Sequence, residues 1–507
     1  MEKLYKDYVP EQFNGRTGYQ IFVDRFFREG SPVEPMEGRI LKRWEDITPN
    51  WWPDEDGEYR NLYFYGGNLR GIISKIDYLG SMGFDLFYLS PISYTQMSHH
   101  YDVEDQRIID PWIGTWEDFK ELCNVAHLKG KLICVDLVFN HMGINSKFFQ
   151  EALKNPNSRF HQWFEWDDNG KPVFWFGFKD LPQCDKNNED YQEYVLEVCE
   201  FYLKMGADGI RLDLGENFPV EFMRRLRKAV KRINPEALIV SEMWDLAVHK
   251  ENPQIYGDQV DSVMNYPFSD AICRWYRYGN EKHLEYTWQE LSKYPKEVRN
   301  VLWNFIDTHD TPRAMNMLAG EGMLENPFSG RIWDIEGPWR KPEEFDTFGF
   351  RQWEANMDAN FDCKMARMYL MSVSLQQYFE EGIPVVYYGT EATITGYKDP
   401  HNRKPYPWGE NPVLFDHYKE LGDFRKEHND ILKDAETVKL IISPFILLKV
   451  RKNENGTMIL VMNRSDAEQE NPAKSFHADE WKEVYRIGEG NKDILMPYSA
   501  IVYRTNN

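Results

Sequence analysis

Phe119-Lys-Glu-Leu-Cys-Asn-Val-Ala-His-Leu-Lys-Gly-Lys-Leu-Ile-Cys-Val-Asp-Leu-Val138 carries two apolar patterns in succession. Phe119, Leu122, Cys123 and Ala126 recur at the i, i+3, i+4, i+7 spacing of one helix face, and Leu132 to Val138 then form a nearly unbroken apolar run. A strand that is apolar on both faces must be covered on both, which is the condition of a parallel sheet flanked by helices. The same succession recurs elsewhere. Ile72, Ile76 and Leu79 precede Gly83-Phe-Asp-Leu-Phe-Tyr-Leu-Ser-Pro91, and Phe222, Leu226, Ala229 and Val230 precede Ala237-Leu-Ile-Val-Ser-Glu242.

Extended along the chain, this reading predicts strands near Tyr19–Val23, Leu86–Leu89, Leu132–Leu137, Gly209–Leu214, Leu238–Glu242, Ser262–Asn265, Leu302–Ile306 and Val385–Tyr388. Eight βα units over about 400 residues predict an α/β fold of the TIM (β/α)8 barrel type, with insertions. A doubly wound open sheet would want a glycine-rich phosphate turn after its first strand, and Gln20-Ile-Phe-Val-Asp-Arg-Phe26 has none.

Two connections are too long for simple βα loops. One, after strand three, contains His161-Gln-Trp-Phe-Glu-Trp166 and Phe174-Trp-Phe-Gly-Phe178; the other, after strand seven, carries Trp333, Trp339 and Trp353 within 314–361. Beyond about residue 430 alternating strands follow, Val438–Val450, Thr457–Met462 and Tyr498–Tyr503, with Asn453-Glu-Asn-Gly456 as a hairpin turn. The predicted organisation is a barrel over 1–141 and 190–428, an inserted subdomain over 142–189, and a C-terminal antiparallel β domain over 429–507.

Composition narrows the function. The 507 residues hold 60 basic and 82 acidic side chains, a net charge of −22, which argues against nucleic acid and acidic membrane surfaces as partners. No run approaches the length of a membrane helix, and the opening Met-Glu-Lys-Leu-Tyr-Lys-Asp has no apolar stretch behind its lysines. Six cysteines with no Cys-x-x-Cys spacing suit reduced thiols and a cytoplasmic location. Aromatics reach 15%; such rings stack on sugar faces, but on composition alone they are better read as core filling.

In a TIM barrel, polar residues at the carboxyl ends of the strands face the active site. Strand three ends Val135-Asp136-Leu-Val-Phe-Asn140-His141, strand four carries Arg211-Leu-Asp213, strand five ends Ser241-Glu242, and strand seven runs into Asp307-Thr-His309-Asp310. A single carboxylate of this kind is as readily a buried structural ion pair. Four strands delivering them to one mouth are not, because crowded anions repel and lose solvation. Phosphoryl transfer would need a phosphate cradle, and zinc chemistry a His-x-x-x-His or His-Glu-x-x-His; neither occurs. Glycoside hydrolysis needs a pair of carboxyl groups, one nucleophile and one acid/base, and the sequence offers that pair with others to spare.

Asp136-Leu-Val-Phe-Asn-His141, Gly209-Ile-Arg-Leu-Asp213, Val240-Ser-Glu242 and Phe305-Ile-Asp-Thr-His-Asp310 resemble, in order and spacing, the four signature regions of the α-amylase family of glycoside hydrolases (family 13). Tyr19–Phe26, His99-His-Tyr-Asp102 with Asp110-Pro111, and Val386-Tyr-Tyr-Gly389 extend the resemblance over roughly residues 15 to 425. It implies Asp213 as nucleophile, Glu242 as acid/base and Asp310 as transition-state stabiliser. It further implies that His141 and His309 bind hydroxyls of the reacting sugar, that Tyr101 stacks beneath it, and that Asp399 and Arg403 hold the next sugar outward. Arg211, two residues before Asp213 and on the same face, is expected to keep that carboxylate ionised. Asp136 and Asn140 are expected to be architectural.

Within the family, Ser-Glu-Met-Trp244 and the context of Leu181-Pro-Gln-Cys-Asp185 look most like the neopullulanase, cyclomaltodextrinase and maltogenic amylase group, with Trp244 among the substrate-binding residues. That group's N-terminal domain is not expected, since barrel strand one begins near residue 18. Leu214-Gly-Glu-Asn217 differs from the group's Val-Ala-Asn-Glu, leaving α-1,4 against α-1,6 preference open. Arg28-Glu-Gly-Ser-Pro32 lacks the clustered oxygen ligands of a calcium loop, and Glu216 replaces a Lys-His pair, so no required metal or other cofactor is expected. The expected partner is an oligosaccharide substrate such as a maltooligosaccharide, a cyclodextrin or a pullulan-type oligosaccharide. The alternatives are a glucan transferase of the same family and an inactive carbohydrate-binding barrel. The sequence leaves the oligomeric state unassigned.

Overall fold

The apolar runs form strands buried along their whole length. The computed structural model describes residues 10–30, 34–46, 61–319, 363–396, 399–409, 411–476 and 481–505. Its central sheet comprises β1 (Gly18–Ile21), β2 (Leu86–Leu89), β3 (Leu132–Val138), β4 (Gly209–Asp213), β5 (Leu238–Ser241), β6 (Ser262–Val263), β7 (Trp303–Asn304) and β8 (Ile383–Tyr387). All pair in parallel in the order β6-β5-β4-β3-β2-β1-β8-β7, and a parallel bridge between Met264 and Trp303 closes β6 onto β7. The expected TIM barrel is therefore present, each strand within a few residues of its expected place.

Local chemistry sets the helices between the strands. α1 (Leu69–Ser81) starts at Asn68, whose side chain accepts from Gly71 N at 2.8 Å. α2 (Trp116–Leu128) opens with a reciprocal capping box between Thr115 and Asp118. α3 (Glu189–Met205) is capped by Asn188 and ends at Gly206, φ 115°; a Cβ there would lie 2.9 Å from the Cys123 Cβ of α2, so both conformation and space demand glycine. α4 (Val220–Ile233), α5 (Tyr266–Tyr278), α6 (Cys363–Phe379) and α7 (Phe415–Glu427) lie in the same outer layer.

After β3 the chain makes the expected excursion. It holds a helix at Lys147–Lys154, two 3₁₀ turns, and antiparallel bridges from His141 to Gln183 and from Phe164 to Cys184. Its interior is aromatic: Phe148 packs on Phe160, Trp163 and Tyr194. Of the expected insertion after strand seven, Ala314–Ala319 is helical, while Trp333, Trp339 and Trp353 lie outside the described residues.

The C-terminal sheet has β9 (Glu436–Ile442), β10 (Ile446–Asn453), β11 (Gly456–Asn463), β12 (Lys482–Ile487) and β13 (Ala500–Thr505), antiparallel in the order β9-β10-β11-β13-β12. The single strand expected over Val438–Val450 is in fact two, interrupted at Ser443-Pro444-Phe445, where Pro444 has no N–H for the ladder. The Asn453-Glu-Asn-Gly456 hairpin is as expected. Alternation puts Leu447, Met458, Leu460 and Met462 into the core shared with the barrel, and Ile446, Leu448, Ile459 and Val461 into a second core on the outer face. On the barrel side, buried Arg451 donates to the carbonyls of Phe379 and Leu432 at 2.6 and 2.9 Å, pinning the sheet to the end of α6. Among the described residues no helix is long and apolar enough to cross a membrane.

Candidate active site

Register assembles the site. β3 and β4 pair with Asp136 opposite Arg211 and Val138 opposite Asp213, and β4 and β5 pair with Leu212 opposite Ser241. Asp136, Arg211, Asp213 and Glu242 thus reach the carboxyl ends of three adjacent strands. The turn after β7 brings Asp307, His309 and Asp310 to the same end.

Arg211 is the hub and is completely buried. Its Nη1 donates to both Asp136 oxygens at 2.8 and 3.0 Å and to Asp213 Oδ1 at 2.9 Å, and its Nη2 lies 2.9 Å from Glu242 Oε2. One guanidinium therefore faces three carboxyl groups. Arg211, expected to keep Asp213 ionised, thus also holds Asp136 and Glu242. Burial and the Glu242 charge push the Asp213 carboxyl well above the ordinary range, with Arg211 opposing. Burial likewise raises Asp136, and burial with Glu242 raises Asp310 to about 7. Carboxyl groups crowded around one positive charge in a dry pocket hold protons more tightly than free ones. Such a cluster can present one carboxyl as acid while another stays ionised.

Glu242 is fixed at both oxygens. Leu214 N donates to Oε2 at 2.9 Å, and the Trp244 indole N–H donates to Oε1 at 2.7 Å. Leu214 adopts φ 46°, ψ 37°, a left-handed conformation that costs a leucine on the order of 1 kcal/mol and aims its N–H at the carboxylate. The next residue must be small: a Cβ on Gly215 would stand 2.5 Å from Ser241 Oγ. Trp244 lies flat on Tyr266, with centroids 4.0 Å apart at 14°.

The polar wall opposite is an ordered chain of donors. Gln20 Nε2 donates to His309 Nδ1 at 2.8 Å, which leaves the ring proton on Nε2, directed to the Tyr101 hydroxyl. Tyr101 in turn donates to Asp136 Oδ2 at 2.7 Å, as does Tyr88 at 2.5 Å, and the Tyr101 and His309 rings stack at 5.1 Å and 4°. Burial, reinforced by Arg403 and Arg211, drives the His309 pKa far down, so the ring is neutral. Asp310 Oδ2 lies 3.0 Å from His309 Nε2, and Asp310 Oδ1 accepts from Arg403 Nη2 at 3.2 Å. Arg403 also donates to the His309 carbonyl at 2.9 Å and stands 3.2 Å from Asp399 Oδ2. His141 contacts the Tyr101 carbonyl at 3.2 Å and stacks on Trp175 at 5.1 Å and 23°; burial lowers its pKa to about 4.

Asp213, Glu242, Asp310, Tyr101, His141, Arg211, Trp244, His309, Asp399 and Arg403 accordingly fall in one connected cluster. Trp244, expected to touch sugar, has its N–H committed to Glu242 and one face to Tyr266. Asn140, expected to be architectural, accepts from Asn217 Nδ2 at 3.1 Å. Gln20, Tyr88 and the Leu214 N–H went unread. Gln20 and Tyr88 carry the signal that would find them, a polar group inside an otherwise apolar strand near its carboxyl end; the N–H of Leu214 is invisible to side-chain pattern.

Residues 20–328 match the family model described as alpha amylase, catalytic domain. A cyclomaltodextrinase of Thermoanaerobacter pseudethanolicus is 30% identical, the match covering 98% of this chain and 79% of that protein. Neopullulanase 2 of Thermoactinomyces vulgaris is 32% identical over 82% of this chain and 63% of its own. Among solved structures, a debranching enzyme of Nostoc punctiforme is similar at TM-score 0.75 and 25% identity, over 98% of this chain and 99% of its own.

Proposed function

The chain belongs to the alpha-amylase family, and from that membership we propose that it hydrolyses α-glucosidic bonds of short α-glucans, maltooligosaccharides and cyclodextrins, with retention of anomeric configuration. The observation that carries this reading is the pair Asp213 and Glu242 on the two Nη atoms of Arg211, at 2.9 Å each, with Asp310 bound through His309 and Arg403 on the opposite wall. Asp213 attacks the anomeric carbon and forms a glycosyl ester, while Glu242 gives its proton to the departing glycosidic oxygen. Glu242, then ionised, takes a proton from water, which opens the ester and regenerates both groups. Arg211 stays in contact with both carboxyls through the exchange. Asp310, Arg403, His309 and His141 present acceptors and donors to the hydroxyls of the reacting ring, and Tyr101 lies beneath it.

Preference for short chains follows from two features of the mouth. Arg403 is held between Asp310 and Asp399, and Trp175, within the aromatic stretch 174–178, stacks on His141. The division into a barrel (1–141 and 190–428), an insertion (142–189) and a C-terminal sheet (429–507) belongs to the same reading. The buried free thiols of Cys123, Cys134, Cys184, Cys199 and Cys273 support a cytoplasmic site of action. The test is to follow the first product from maltotriose by proton NMR. An α-anomer appearing first is expected; a β-anomer would overturn retention, and disproportionation products exceeding hydrolysis would favour a transferase.

A further inference from the structure

Lys250 lies on the connection after β5. Its Nζ stands 2.9 Å from Glu216 Oε2 and 2.6 Å from Asp245 Oδ2. Glu216 is two residues beyond Leu214, and Asp245 directly follows Trp244. Those are the two residues whose N–H groups hold Glu242, at 2.9 and 2.7 Å. One ammonium therefore ties together the two loops, after β4 and after β5, that supply both donors to a single carboxyl group.

Two further hydrogen bonds hold these segments. Gln254 Nε2 donates to the Gly215 carbonyl at 3.0 Å, and the Tyr294 hydroxyl accepts from Ala247 N at 2.6 Å. Gln254 also lies on the connection after β5, so its bond to Gly215 is a second tie between the loops, but it does not reach Asp245 beside Trp244; the ammonium joins the acidic side chains of both loops. The bridge does so against repulsion, because without the ammonium the carboxylates of Glu216 and Asp245 would face each other across the gap. The Leu214 backbone lies within this bridged segment at φ 46°, and a left-handed leucine persists only where its surroundings over-determine it.

We propose that Lys250 is a positioning residue for the general acid: by bridging Glu216 and Asp245 it fixes the Leu214 N–H and the Trp244 indole on the two oxygens of Glu242. The inference rests on the reading of Glu242 as acid/base. Lys250 touches neither the reacting atoms nor Glu242, so its effect passes through those two donors.

A misplaced acid harms only reactions that need a proton on the leaving group. This separates positioning from general structural damage. Lys250→Met is expected to lower kcat/KM on maltotriose about tenfold or more, part of the roughly 10²–10⁴-fold that a general acid contributes. Activity on α-maltosyl fluoride, whose leaving group needs little protonation, should stay within about twofold. Lys250→Arg should restore most of the loss on maltotriose, since a guanidinium can bridge the same two carboxylates. Should Lys250→Met fail to fold, Glu216→Ala breaks one half of the bridge and should show the same split at smaller size.

Equal losses on both substrates, no loss on either, or a Lys250→Arg variant no better than Lys250→Met would overturn the proposal. Glu242→Gln, measured alongside, keeps the two claims apart. If it shows no leaving-group dependence, the acid assignment fails; if it does and the Lys250 and Glu216 variants do not, the positioning inference alone fails.

Discussion

Asp136 faces Arg211 directly across the β3–β4 ladder, and both its oxygens accept from the same guanidinium nitrogen, at 2.8 and 3.0 Å. The pair is fully buried, and Tyr88 and Tyr101 satisfy the rest of the Asp136 carboxylate. Asp136 thus anchors Arg211, and Arg211 presents its remaining surface to Asp213 and Glu242. Structure and chemistry are divided between carboxylates that share one cation, and mutations should separate them.

Asp136→Ala should destabilise the fold by roughly 3 kcal/mol, because it strips a buried guanidinium of its main partner and leaves two phenol hydroxyls without an acceptor. Urea unfolding checks this. A loss under about 1 kcal/mol would mean that Asp213 and Glu242 suffice to hold Arg211.

Asp213→Asn should behave in the opposite way. Turnover should fall more than about a thousandfold, since the amide cannot form the glycosyl ester. Stability should hold or rise, because a carboxyl that burial and Glu242 push upward is strained when ionised. A marked drop in the thermal midpoint would contradict the second half of that statement.

Trp244→Phe retains a ring to lie on Tyr266 and removes only the N–H that holds Glu242. A hydrogen bond to a charged group contributes about 1.5–3 kcal/mol, so kcat on maltotriose should drop about tenfold or more with little change in KM. A change confined to KM would point instead to direct contact between the indole and sugar.

Asp310 gives a pH dependence of defined sign. Its carboxyl is raised to about 7 by burial and Glu242, against about 4 in an unfolded chain. Between those values the folded state holds a proton that the unfolded state has released, so stability falls as pH rises through that window and levels off above it. Asp310→Asn removes the term. Its stability relative to the natural chain should grow from about pH 4 to about pH 7 and then stay constant. Urea midpoints across that range test it, and a constant difference would refute the raised value.

The barrel was readable because strands buried on both faces appear as continuous apolar runs, as in Leu132–Val138. The clustered carboxylates were readable because they interrupt such runs at the carboxyl ends. What escaped depends on partners remote in sequence. That Arg211 serves three carboxylates follows from the parallel register of β3, β4 and β5, which no local pattern states. The break at Pro444 inside Val438–Val450 was overlooked in an otherwise alternating run. The hold of Leu214 on Glu242 depends on a backbone conformation that leucine rarely adopts.

The central claim is that Asp213 carries the sugar. A fluorinated α-glucosyl fluoride slows both chemical steps, and with a good leaving group the glycosyl ester outlives the reaction that forms it. After incubation, peptic digestion and mass spectrometry should find one sugar attached to the peptide containing Gly209-Ile-Arg-Leu-Asp213, with fragmentation placing it on Asp213 and none in the Asp213→Asn variant. A sugar on the peptide containing Glu242, or equal labelling of the Asp213→Asn variant, would contradict the account.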